Sequence, residues 1–438
     1  MTASSPSITR EVVARKPRPS KGRPLASTGI GNAIEWYDWT IYATFSPFFA
    51  TQFFDPSDRT SAVLATLAVF AVGFIARPFG GFLFGWIGDR LGRKVSMTLV
   101  VGISSAGSLM IALAPHFATV GALASLVLLT ARLLQGLAHG GELPSAQTYL
   151  SEVAPREKRG LWSSFMYVSG TLGVIGGSLL GVVLSSVLSA EQMGSFGWRI
   201  PFLIGAALGL FALFMRARMP ETEAFEGNRE KTGSLKKPSI IKGIIEHRKQ
   251  ALQVIGLTVG LTVIYQLWAV FAPAFASNSL KINSGQALLA GSISNVAFIL
   301  ALPLWGMLSD RIGRKPVLLI GALSAAVLHF PMIWLLQDSA WQLAISMSVM
   351  LVFVAAMASI VPAVYAELFP ADIRTTGVGV PYACAVALFG GTAGYLQSLF
   401  TDVVQQAWLF NLYAVVLLLI TAFVIRSLPE TRARDLND

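Results

Sequence analysis

Apolar stretches of roughly 20 residues, the length that crosses a bilayer core, recur twelve times in this chain, from one centred near residue 38 to one near residue 416. Most connections between them are too short to fold by themselves. Only 13% of the 438 residues are charged, about half the share of a soluble domain, roughly 25%. The pattern specifies an all-α membrane protein with twelve transmembrane helices, and it excludes an ordinary soluble enzyme.

The net charge of +10 could suggest nucleic-acid binding, but the positions of the 33 Lys and Arg residues explain it better. With the N-terminus inside, every one except Arg59, Arg77, Arg132, Arg199 and Lys281 falls in the tails or in loops on one side, as the positive-inside rule requires. Both termini are then cytoplasmic in a multi-pass membrane protein, and nucleic acid is not a partner. Residues 1–26, basic and without an apolar core, read as a disordered cytoplasmic tail rather than a cleaved signal peptide. The longest basic stretch, 218–250, reads as a cytoplasmic linker lying on anionic lipid headgroups. It separates six spans (27–217) from six more (251–426), and a short tail follows (427–438). The single cysteine, Cys384, leaves no intramolecular disulfide and no cysteine metal cluster, and no cofactor is expected.

The two halves repeat each other. "GWIGDRLGRK" (Gly85 to Lys94) matches "GMLSDRIGRK" (Gly306 to Lys315), "EVAPREKRG" from Glu152 resembles "ELFPADIRT" from Glu367, and "MPETEAF" from Met219 matches "LPETRAR" from Leu428. "GWRIPF" from Gly197 has a faint partner at Trp408. Landmarks that keep their order across twelve spans indicate two pseudo-symmetric six-helix bundles, a frequent plan among transporters.

The paired GxxxDRxGRK loops resemble the signature of the major facilitator superfamily. Within it, "GNAIEWYDWTIYA", "ARPFGG", "RLLQGLAHGGE", "GWRIPF" and "FGGTAGY" resemble the metabolite:proton symporter family, its α-ketoglutarate permease branch most of all. The resemblance implies a central cavity between two bundles, alternating access, and proton-driven uptake of a small organic acid or zwitterion by a monomer. It also implies proton coupling at Arg132, and a cytoplasmic latch in which Asp89, Arg93, Asp310 and Arg314 join Glu152, Arg159, Glu367 and Arg374. For those basic residues simple topogenesis is the alternative.

Ionisable groups at bilayer depth are costly unless paired or wetted, so each is a functional candidate. Glu35 and Asp38, three residues apart, share a helical face with Tyr42. Either acid could carry the proton, or form a fixed pair with an arginine. Arg77, near the midplane, offers a planar fork of donors to a carboxylate; a structural pair with a span 1 acid is its alternative. In span 4, Arg132, Gln135, His139 and Glu142 form one stripe, which must face a water-filled cavity or protein rather than lipid. His139 could titrate, or serve as a neutral packing residue. Arg199, close to an outer helix end, and Tyr265, Gln266 and Tyr382 in the nearly uncharged second half complete the expected substrate contacts with Tyr42, Arg77 and Gln135.

A proton-coupled carboxylate symporter is therefore the leading reading, with a betaine or proline carrier and a drug:proton antiporter as alternatives. "GTLGVIGGSLLG" in span 5 lacks the proline of the antiporter motif. No Walker loop, zinc spacing or nucleophile elbow supports an enzyme.

Overall fold

The computed structural model describes residues 22–91, 93–140, 154–217, 245–370 and 373–432, together with Gln147, Leu150, Ser151, Arg434 and Leu436. The expected tail up to residue 21 and linker residues 218–244 lie outside the described residues. Helix α1 (Gly22–Phe53) begins ahead of the expected boundary at 27. It is followed by α2 (Arg59–Leu91), α3 (Arg93–Leu113), α4 (Ala122–His139), α5 (Arg159–Val187) and α6 (Arg199–Ala217). The second half comprises α7 (Arg248–Asn278), α8 (Ser284–Ile312), α9 (Arg314–Leu335), α10 (Ala340–Leu368), α11 (from Arg374, spanning Gly377–Val403) and α12 (Ala407–Ser427).

Among the described residues ten of these helices are long and apolar enough to cross a membrane. The other two of the expected twelve are α1, whose middle carries Asn32, Glu35 and Asp38, and α3, whose described side chains form an unbroken apolar run over Thr98–Leu113. Both pack inside the same bundle as their neighbours, so the twelve-helix arrangement stands.

Within the first bundle α1 packs on α5, α2 on α4 and α3 on α6; within the second, α8 packs on α10 and α7 on α12. The bundles meet chiefly along α5 and α8, with α2 against α11 and α1 against α7 completing the seam. Helix α7 is apolar on every side and the most enclosed, 89% of its central window being buried, as expected for a helix surrounded by protein. Its backbone widens into a π-helical turn at Gln266–Phe271. The side-chain amide of Asn295 on α8 donates to the Ala269 carbonyl there at 3.2 Å, satisfying a group that helix geometry no longer serves.

Small residues let α2 and α4 touch backbone to backbone: a side chain on Gly136 would overlap the Gly73 carbonyl oxygen. Gly136→Val should therefore destabilise the purified protein by at least about 2 kcal/mol, read as a lowered Tm in detergent. An unchanged Tm would show that this contact is not needed.

Candidate functional site

Where the bundles face each other they enclose a cavity of about 80 Å³, room for several waters or a comparably small solute. Glu35 and Arg77 supply its charged wall, and Tyr265, Gln266 and Tyr382 line the second half's side. These five were expected from the sequence. Trp36, Trp39, Phe70, Phe74 and Tyr167 form much of the remaining wall and were missed, because the reading followed charges. The available signal was the aromatic spacing at 36, 39, 70 and 74, which keeps those rings on the faces that carry Glu35 and Arg77.

Arg77 lies flat against two rings, with its guanidinium carbon 4.0 Å from the Trp39 centroid and 4.1 Å from that of Phe74. Cation–π contacts hold a guanidinium's faces and leave its N–H edges open. Its Nε has no hydrogen-bond partner, and among the described residues no carboxylate stands at salt-bridge distance from it. An edge-on cation in a small cavity is built to receive an anion.

Behind Trp39 lies a second polar cluster that does not reach the cavity. Asp38 accepts hydrogen bonds from Ser108 (2.7 Å), Gln135 (3.1 Å) and Ser104 (3.3 Å). Gln135 in turn accepts from Arg132 at 2.8 Å. Arg132, completely buried, lies 4.0 Å from the Trp39 centroid and 4.3 Å from that of Tyr42. Tyr42 donates to the Thr66 carbonyl at 2.9 Å. So Asp38, Tyr42, Arg132 and Gln135 are brought together, but as an interior network of the first bundle rather than as cavity wall. The span 4 stripe faces α1 and α3, one of the two surfaces allowed to it. His139 connects the clusters: its Nδ1 is 3.9 Å from Glu35 and its Nε2 is 3.4 Å from the Ser104 hydroxyl. Glu142 lies outside the described residues.

Arg199 stands apart from the cavity. It donates to the Ala112 carbonyl at 2.6 Å, in the last turn of α3, where a cation complements the helix dipole. A second nitrogen reaches His116 Nε2 at 3.2 Å. Burial, and after it the Arg199 charge, push the His116 pKa down, in keeping with a neutral ring that accepts from Arg199. The expected substrate role of Arg199 is thus replaced by stapling two helix ends.

The latch residues converge at the basic end of the α5–α8 seam. Glu367 Oε1 takes Arg159 at 3.0 Å and Arg314 at 3.4 Å, and Arg314 also holds Asp310 at 2.8 Å. Asp310 accepts the first backbone N–H groups of α5, Gly160 at 2.8 Å and Leu161 at 2.9 Å. Gly160 and Gly306 make this possible, since a Cβ on either would meet the other's carbonyl oxygen at 2.7 Å. Arg374 donates to the Ala366 and Leu436 carbonyls. Glu430, after α12, accepts from the Arg314 and Lys315 amides. Partial burial works to raise its pKa, but those backbone donors prevail and hold it below the usual range. Glu152 and the side chains of Asp89 and Arg93 lie outside the described residues.

At the opposite end Phe70 meets Phe271 edge-on at 5.3 Å, and beyond them lies a second hollow of about 20 Å³. The cavity is therefore bridged by contacts between the halves on both sides.

The sequence matches the Sugar (and other) transporter family over residues 26–438. It is 36% identical to the alpha-ketoglutarate permease of Escherichia coli (strain K12), covering 92% of this chain and 93% of the relative. The chain belongs to that transporter family, within the major facilitator superfamily. It is 29% identical to the proline/betaine transporter of Salmonella typhimurium, covering 95% of this chain and 85% of the relative. The fold resembles the xylose transporter XylE from E. coli, solved in a partially occluded inward open conformation, with a TM-score of 0.74 at 19% identity, covering 95% of this chain and 99% of that one. The protein is thus a multi-pass membrane transporter and not an enzyme.

Glu367→Gln should leave Arg159 and Arg314 poorly compensated in a buried site, at a cost of about 3 kcal/mol. Spin labels at the exposed positions Glu157 and Arg311 should then report a longer-distance population. An unchanged distance distribution would show that Glu367 does not hold the seam.

Proposed function

We propose that the protein is a proton-coupled symporter that moves a small organic acid across a bacterial inner membrane by alternating access, the basic end facing the cytoplasm with both termini. The observation that carries this reading is Arg77, a cation on the cavity wall whose ring contacts leave its N–H edges open. Glu35, on the same wall, is the proton carrier best placed to sense an arriving carboxylate. Asp38, which the sequence reading favoured over Glu35 as proton carrier, is the internal counter-charge that reaches Arg132 through Gln135. The name of the Escherichia coli relative supports an α-ketoglutarate-like acid.

A zwitterion such as betaine or proline is the second reading. It is favoured by the ring cluster of Trp36, Tyr167 and Tyr265, whose centroids lie 5.3 to 5.7 Å apart, since aromatic walls also receive quaternary ammonium groups. In either case the basic latch opens the cavity to one side while the Phe70–Phe271 contact guards the other, and the Asp310–α5 contact must break in each cycle.

Arg77→Lys keeps the charge and removes the fork. It should weaken carboxylate binding at least tenfold, about 1.4 kcal/mol, measured by isothermal titration in detergent. Equal affinity would discard Arg77 as the anchor.

A further inference from the structure

We infer that the outer tip of α1, residues 48–53, is a lever hinged at Pro47 and held shut by an acid-sensitive clasp of Gln52, His116 and Arg199, which protons on the side opposite the basic latch release. The hinge is built into the backbone. Pro47 lies inside α1 and has no N–H to give to the Ala43 carbonyl, its acceptor one turn back. The Ser46 hydroxyl donates to that carbonyl instead, at 2.8 Å, so the helix carries a break that its neighbour satisfies. Ser46 and Pro47 also line the second hollow, against Phe271, Phe275 and Asn278 of α7. The hinge thus sits in the seam that closes this end of the cavity.

The tip is fastened to the first bundle by its last turn. Phe49 and Phe53 pack on the buried Trp198, with centroids 5.5 and 5.4 Å away. Beside that ring Arg199 donates to the Ala112 carbonyl and to His116 Nε2, and the other ring nitrogen, Nδ1, meets the side-chain oxygen of Gln52. An amide oxygen only accepts, so Nδ1 carries the ring's hydrogen; a guanidinium only donates, so Nε2 is bare. The two partners together admit one form of the ring, the neutral Nδ1–H tautomer. A further proton could enter only at Nε2, where its N–H would face an N–H of Arg199 and place positive charge on both sides of a 3.2 Å contact. The bond to Arg199 is then lost, and the ring that turns away releases Gln52.

Nothing nearby offsets that repulsion. Among the described residues no acid stands at salt-bridge distance from His116 or Arg199. Asp55 and Asp58, which follow the tip, are turned to Ser57 and Ser61, α1 faces the ring with the neutral Gln52, and α3 contributes the Ala112 carbonyl to Arg199. From α4 the Ser125 hydroxyl holds the Phe53 carbonyl at 2.5 Å at any pH, so release is partial. Because His116 resists its proton in the clasp, the fastening is complete at neutral pH. It weakens as pH falls below about 6.5, where a free imidazole binds the proton that the clasp refuses.

The clasp acts whatever solute the cavity takes, so its test needs none. Spin labels on Asp55→Cys and Gln286→Cys, both exposed, in a Cys384→Ser background report the distance from the tip to the start of α8 in detergent. Between pH 7.5 and 5 the ratio of long to short distances should rise at least about fivefold. Its midpoint should lie below 6.5 and coincide with the His116 imidazole titration followed by NMR. His116→Gln, neutral throughout, should keep the pH 7.5 distribution at both values. Distances that ignore pH, or that respond equally in His116→Gln, overturn the clasp. Where glutamine itself lengthens the distance at pH 7.5, the unsubstituted His116 curve decides: a midpoint within about half a pH unit of the His116 titration supports the clasp, and a larger departure overturns it. Either failure leaves solute transport standing, since Arg77→Lys tests that separately.

Discussion

Trp39 holds a guanidinium 4.0 Å from its ring centroid twice over, Arg77 and Arg132. Two such groups cannot share one face of an indole, so they lie on opposite faces, and the ring is the partition between cavity and bundle interior. Each cation gains contact with a polarisable face without spending its N–H donors. Arg132 is then committed to Gln135 and the buried acid beyond it, whereas Arg77 keeps its edge toward the cavity. The separation of a fixed charge pair from an addressable one depends on that single ring.

The halves repeat in sequence yet divide the work. Midway along the helices the first bundle carries the charges, Glu35, Asp38, Arg77 and Arg132; the second, whose buried Arg314, Glu367 and Arg374 sit at the basic end, meets the same demand there with neutral groups. Trp268 donates to His329 Nδ1 at 3.2 Å, and His329 Nε2 pairs with Asn411 at 3.1 Å, which ties the widened part of α7 to α9 and α12 with no net charge. In the second copy of the repeated loop, Asp310 and Arg314 lock α8, α9 and α5 together, and Gly313, at φ 106°, admits Glu430 where a side chain would collide. Pseudo-symmetry thus supplies a scaffold on which one half carries the charges of the cavity wall and the other lines it with neutral groups.

Much of this was legible in the residues. Apolar runs gave the helices, and the repeated loops gave Asp310, Arg314, Arg159 and Glu367, which do converge. Spacing proved coarser at the site. Glu35 and Asp38 share a face by sequence, but residues three apart on a helix point about 60° from each other. In a bundle that angle separates cavity from helix seam, and only Glu35 lines the cavity. Arg199 was misread because its neighbour, the exposed end of α3, is distant in sequence. Ser104 and Ser108 were missed because serine in an apolar helix declares no partner until α3 is set against α1.

In the proposed symport a carboxylate on Arg77 and a proton on Glu35 stabilise each other, which makes anion binding and protonation linked equilibria. Titrating the detergent-purified protein with a bound carboxylate in buffers of different ionisation enthalpy measures that linkage directly. About one proton should be taken up per anion bound at a pH where empty Glu35 is ionised, and none in the Glu35→Gln protein. Binding that takes up no proton, or uptake that persists without the glutamate, would contradict it.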